Sequence, residues 1–237
     1  MQERIQTVRD AVAFKHTDRI PTHSNYWTYM ILDGGYSAKE AIYDYDKLKE
    51  CVINFHNKYE FDFYNYVGMR NPFRFTDVFE GNPYFFDESG EKLNLVDYQT
   101  MEDTEYPELI ENVEKFIWTK SLPRKCKLFN DDLKAFELFD KAAKELITYQ
   151  EFCNGMIEYF VNELKVPKPS KFWLLSTPFC GITDFFRGLK GASLDLRRHY
   201  SEVKEAVKAL AEHDGLDAAI ESIKEPVPDN CIFGVSH

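Results

Sequence analysis

The chain reads as an α/β protein of the (β/α)8 barrel type, with about the first half to two-thirds of the barrel present, and three observations predict this. A strand pattern near 18–26, a helical stripe over 46–59 and a second strand at Phe61–Val67 give the order strand, helix, strand. That order favours parallel pairing through a right-handed crossover. Further on, the apolar run Lys171–Ser176 is too brief for a free-standing helix; Pro178 stops it and a helix must follow. About four parallel strands can be counted in all, where a closed barrel uses eight and about 250 residues. The expectation is a single domain over residues 1–237, incomplete at its C-terminus and carrying a β-hairpin excursion near 83–97.

Ile5, Val8 and Val12 recur at helical spacing and predict a helix over about 2–14 with one buried stripe. Asp18-Arg-Ile-Pro21 opens a strand whose proline sits near its first position, where a missing donor matters least. Ser37-Ala-Lys-Glu40 has the spacing of a capping box, and Asp46 is placed to cap a helix lined by Leu48, Val52, Phe55 and Tyr59. After the second strand, the alternation from Tyr84 to Val96 around Glu88-Ser-Gly90 signals a hairpin. A long helix over roughly 131–165 is expected to bury Phe136, Phe139, Ala143, Leu146 and Ile147, with an interruption near Gly155. A helix at about 202–212 with Val203, Ala206, Val207 and Leu210, then the strand Cys231–Val235, close the chain.

A net charge of −11 and a pI near 5.1 argue against a nucleic-acid surface and disfavour an anionic membrane, so neither is an expected partner. No apolar run approaches the roughly 20 residues that cross a bilayer, and the N-terminus lacks a signal-peptide core, so a cytoplasmic location is expected. The 5 cysteines are scattered without a C-x-x-C pair, which reads as buried thiols rather than a disulfide framework or zinc knuckle.

Candidate chemistry gathers at two places. His23, flanked by Thr22, Ser24 and Asn25 and followed by Tyr26 and Trp27, lies at a polar strand end beside large aromatics. There an imidazole supplies a proton or a metal bond, or is simply hydrogen-bonded at a strand terminus. Asp62 either points a carboxylate into the sheet, where it needs a charged partner, or caps a strand entrance. Arg70 and Arg74 clamp a substrate carboxylate or are solvated loop residues, and Asp77 is expected at a helix start. The second place is Ser176–Gly188, where Asp184 is the acid candidate, with Arg187 three positions later as ligand clamp or ion-pair partner. Gly181, Gly188 and Gly191 permit close backbone approach or punctuate helices. No Walker loop, G-x-G-x-x-G, H-E-x-x-H or G-x-S-x-G motif occurs.

Arg4-Ile-Gln-Thr-Val, His16-Thr-Asp-Arg-Ile-Pro21, Phe61-Asp-Phe, Phe79-Glu-Gly81 and the Pro178-Phe to Arg187-Gly188 segment together resemble the uroporphyrinogen decarboxylase superfamily. The resemblance implies a (β/α) barrel and tetrapyrrole-related chemistry: porphyrinogen decarboxylation or corrinoid-linked methyl transfer. The decarboxylases carry an arginine-containing motif after the first strand to hold substrate carboxylates, where this chain has His23-Ser-Asn-Tyr-Trp-Thr-Tyr-Met30. Their tyrosine falls at Asp184, which would repel a carboxylated ligand. Methyl transfer is therefore the leading expectation, with His23 and Asp184 catalytic and Tyr26, Trp27, Arg70 and Arg187 binding substrate. Decarboxylation is the alternative, and a non-catalytic fragment or binding module completed by another chain is the third reading. The implied partners are a small-molecule substrate and a corrinoid protein, with a homo-oligomer as a possible assembly. No metal ligand is assigned; zinc is implied only if a C-terminal half supplies a His-x-Cys pair and a distant cysteine.

Overall fold

The computed structural model describes residues 1–26, 28–64, 72–126, 132–172, 177–222, 224, 229 and 231–235. Helix α1 (Gln2–Val12) buries Ile5 and Val8, each burial contributing about 1.5–3 kcal/mol, whereas Val12 at the frayed end is 74% exposed. Strand β1 is only His23–Ser24 and pairs in parallel with β2 (Phe63–Tyr64), in the register His23↔Phe63 and Ser24↔Tyr64.

Between them lie α2 (Thr28–Asp33), α3 (Ala38–Tyr43) and α4 (Tyr45–Lys58). The Ser37/Glu40 capping box starts α3. The α4 cap is Asp44 rather than Asp46: the Asp44 carboxylate accepts from the amides of Asp46 and Lys47. Leu48, Val52 and Phe55 form the buried stripe of α4, and His56 lies beside them.

Helix α5 (Phe73–Val78) precedes a hairpin of β3 (Tyr84–Phe86) and β4 (Leu93–Leu95), antiparallel around Gly90, whose φ of +75° suits glycine. Asp77 stands near the end of α5, not its start, and its carboxylate receives the hydroxyl of Tyr43 and the amide of Asn82. Short helices α6 (Tyr106–Glu111), α7 (Val113–Phe116) and α8 (Leu122–Lys125) follow, the last two joined by a π-helical turn over Ile117–Ser121.

The 31-residue helix α9 (Asp132–Asn162) runs through Gly155 without interruption. It buries Ala142, Met156 and Phe160, while Phe136, Phe139 and Ile147 are exposed. The expected stripe followed the apolar residues; the observed contact follows where α4, α5 and β5 meet the helix.

Strand β5 (Lys168–Phe172) pairs in parallel with β6 (Cys231–Val235), from Lys168↔Cys231 to Phe172↔Val235, and β5 also lies against β2. The expected continuations of β2 to residue 67 and of β5 over 173–176 fall outside the described residues. Helices α10 (Pro178–Gly181), α11 (Gly188–Arg198), α12 (Tyr200–His213) and α13 (Leu216–Ser222) separate β5 from β6. A second π-helical turn, Ile182–Phe186, leads out of α10.

The strands divide their side chains between two surroundings. Ser24 and Tyr64 meet His56 and Phe160 in the largest core cluster, whereas Phe63 packs with Ile5, Val8 and Ile232 under α1. A separate cluster joins Met101, Tyr106, Leu109 and Phe116 to Ile182, Phe186, Val203 and Leu210. No helix among the described residues is long and apolar enough to cross a membrane.

Candidate functional site

The entrance to the β1–β2 pair is locked by one carboxylate. Asp62, 1% exposed, receives two bonds from the Arg19 guanidinium at 2.6 and 2.5 Å and one from the Thr22 amide at 2.8 Å. Arg4 approaches the same carboxylate at 3.9 Å and donates to the Phe61 carbonyl. Burial pushes the Asp62 carboxyl up, and Arg19 with the Thr22 amide more than offsets it, leaving the group below its ordinary value. The Arg-Ile-Pro and Phe-Asp-Phe segments therefore meet in space, and the charged partner that a buried Asp62 required is Arg19.

Just past this lock, His23 stacks on Phe63 at a centroid separation of 4.5 Å and an interplanar angle of 15°. The opposite face of the strand pair carries a second imidazole. His56 donates through Nδ1 to the Val52 carbonyl at 2.8 Å, which leaves Nε2 to accept from the Ser24 hydroxyl at 2.9 Å. Burial holds His56 below its usual pKa, partly countered by the Val52 carbonyl, so the neutral ring fits this pair.

Tyr26 does not share His23's surroundings. Its ring stands against Phe55 of α4 at 5.4 Å, against Phe61 at 6.1 Å and against Tyr29 at 5.9 Å. These residues, with Lys58, Tyr59 and Glu60, line an open cleft of about 550 Å³ beside the C-terminal turn of α4. Trp27 and Arg70 lie outside the described residues. Arg74 is not a free clamp: it pairs with Glu145 of α9 at 2.7 Å and lies over the Tyr45 ring.

The Pro178–Gly188 segment forms its own centre. Arg187 is 6% exposed; it donates to Asp195 at 2.6 and 3.2 Å and to the Met101 carbonyl at 2.6 Å, while Tyr106 donates to the same carboxylate at 2.9 Å. Burial raises Asp195, and Arg187 and Tyr106 together bring it below its ordinary value. Gly188, at φ +68°, ends the π-helical turn so that α11 can start afresh, its Leu189 amide capped by Asp97 at 3.0 Å. Gly191 lies one turn before Asp195, and a Cβ there would stand 3.4 Å from the Arg187 side chain, at ordinary van der Waals contact, so the ion pair does not itself demand glycine.

Asp184 is exposed and accepts from the neighbouring Thr183 hydroxyl at 2.7 Å. The expected pair with Arg187 is replaced by Arg187–Asp195, because the π-helical turn breaks the i,i+3 geometry on which it depended. Asp103, Asp195 and His199 bring one ligand atom each within 4.8 Å, but Asp195 is already engaged by Arg187 and Tyr106.

Of the residues singled out in the sequence, Asp184 and Arg187 share a segment without bonding to each other, and His23 and Tyr26 diverge onto different packing surfaces. His56, Asp195 and Tyr106 carry buried polar bonds that the sequence reading passed over. For Asp195 the signal was present: Arg187, Gly191 and Asp195 recur every four residues, as one helix face requires.

The zinc implied by the resemblance does not fit the residues present. No histidine in the chain is followed two positions later by cysteine. Burial pushes the Cys51 thiol up to about 11 and raises Cys126, so both are neutral buried thiols. Comparison of the chain with protein-family models, with curated proteins and with solved structures gives no match.

Proposed function

We propose that this chain builds one side of a (β/α)8 barrel enzyme of the uroporphyrinogen decarboxylase kind. Its reaction, in this reading, moves a methyl group from a small, uncharged methylated or methoxylated substrate to a corrinoid carried by a partner protein in the cytoplasm. Support for the architecture comes from two parallel pairs, β1–β2 and β5–β6, each with helices between its strands, and from β2 lying against β5.

The observation that carries the choice of substrate is the state of the arginines. Arg4 and Arg19 face Asp62, Arg74 faces Glu145 and Arg187 faces Asp195. Turning any of these four arginines to a polycarboxylated macrocycle would require breaking its pair, and freeing Arg187 would strand a buried carboxylate at a cost of about 3–5 kcal/mol. An uncharged substrate makes no such demand.

The corrinoid, when bound, supplies the reduced metal nucleophile that accepts the methyl group. The chain's own task is to position the substrate and to protonate the oxygen left with the bonding pair once the methyl group departs. We assign that proton transfer to His23, the half-buried imidazole at β1. The test is turnover with cob(I)alamin and 2-methoxyphenol, followed by the cobalt absorbance. Transfer by the wild type, and a loss of at least about 100-fold in His23→Ala with an unchanged circular dichroism spectrum, is the expected result. Decarboxylation of a carboxylated porphyrinogen without methyl transfer would overturn the reading.

A further inference from the structure

The cleft at the C-terminal turn of α4 is lined by neither His23 nor its stacking partner Phe63, and the proton transfer assigned above does not draw on it. Phe55, 2% exposed, forms its floor, and Phe61 lies parallel to Phe55 at 5.9 Å and 16°. Tyr26, Tyr29 and Tyr59 rise around that floor, tilted or edge-on to Phe55, and remain 45, 54 and 36% exposed. Large rings are normally turned inward when a core can take them. Three half-exposed tyrosines over one buried phenylalanine, bounding about 550 Å³, instead make a concave wall within the size range of small-molecule sites.

Charge decides the ligand class. Lys58, the cation on the wall, is held by Asp33 at 2.7 Å and lies over the Tyr59 ring at 5.0 Å, so its charge is already answered from within. Glu60 adds a carboxylate to the rim, and the whole chain carries a net charge of −11. An anion is disfavoured at such a site, and the Tyr59 face is already covered by Lys58. What remains matched is a flat, uncharged ring that covers the tyrosine faces and turns a hydroxyl toward Glu60.

We propose that this cleft is a binding site for a flat, uncharged, hydroxyl-bearing aromatic molecule, independent of the methyl-transfer reading. The probe is 2-naphthol, uncharged at pH 7, measured by saturation-transfer NMR and titration calorimetry on the full chain. A Kd of about 0.1 mM is expected for a fragment of this size. Tyr29→Ala and Tyr26→Ala, both truncating exposed side chains, should each weaken binding at least 10-fold, while Tyr200→Ala on α12 leaves it unchanged. The anionic isostere 2-naphthalenesulfonate should bind at least 10-fold more weakly than the naphthol. Absence of wild-type binding, indifference to both cleft substitutions, or equal affinity for the sulfonate would each overturn the proposal.

Discussion

Replacing Asp195 by alanine removes the acceptor for two guanidinium bonds and one phenol bond at a position 1% exposed. Arg187 keeps its charge, since guanidinium does not deprotonate in proteins, and it loses its carboxylate partner while keeping the Met101 carbonyl. Breaking a buried pair from one side costs about 3–5 kcal/mol, and the stranded Tyr106 hydroxyl alone is worth about 1–3 kcal/mol. The two losses share the same carboxylate and do not add, so about 4 kcal/mol is expected. With an m-value of ~3 kcal/mol/M for a chain of this size, the urea midpoint should fall by about 1.3 M. Arg187→Met/Asp195→Leu removes both charges and should recover part of that loss. Asp184→Ala, on an exposed side chain bonded only to its neighbour, should stay within about 0.5 kcal/mol. An Asp195→Ala midpoint unchanged from wild type would refute the buried pair as the tie between Pro178–Gly188 and the Tyr106 helix.

Other expected outcomes follow from the same physics. His56 is held below its ordinary pKa, so the unfolded chain takes up its proton first as pH falls. Its stabilising effect is complete above about 6.5 and is lost below that value, by up to ~1.4 kcal/mol per pH unit until the folded pKa is reached. Urea midpoints between pH 7.5 and 5 should therefore slope less in His56→Leu than in the wild type; equal slopes would return the effect to other groups. Gly188→Ala forces a side chain into φ +68° and sets its Cβ 2.6 Å from an Asp97 carboxylate oxygen, which should lower stability by about 1–3 kcal/mol and the melting temperature by several degrees. An unchanged melting curve would mean that the α11 start relaxes freely.

Much of the fold was legible where local chemistry decides. The capping box at Ser37 and Glu40, the stripe of α4, the hairpin around Gly90 and the strand Cys231–Val235 follow from spacings and turn residues within a few positions. What escaped depends on distant partners. The apolar residues of α9 suggested one face, yet Phe136 and Phe139 are exposed and Ala142 is buried, because the helix follows the surfaces that α4, α5 and β5 offer it. Arg187 and Asp184 shared a plausible helical spacing, but Asp184 sits inside a π-helical turn that ends just before Arg187, and no residue in Ile182–Phe186 announces that turn. Tyr26 and His23 are three residues apart in sequence; beyond a two-residue strand the chain leaves the pleat, so period-two reasoning no longer fixes which side a ring takes.

The claim that Arg4, Arg19, Arg74 and Arg187 are internally paired is tested most directly by titrating the full chain with a tetracarboxylated porphyrin at low and at physiological salt. No saturable binding at either ionic strength is the predicted result. Saturable, salt-sensitive binding that is lost on substituting Arg187 or Arg19 would contradict the account and move the reaction to the decarboxylases.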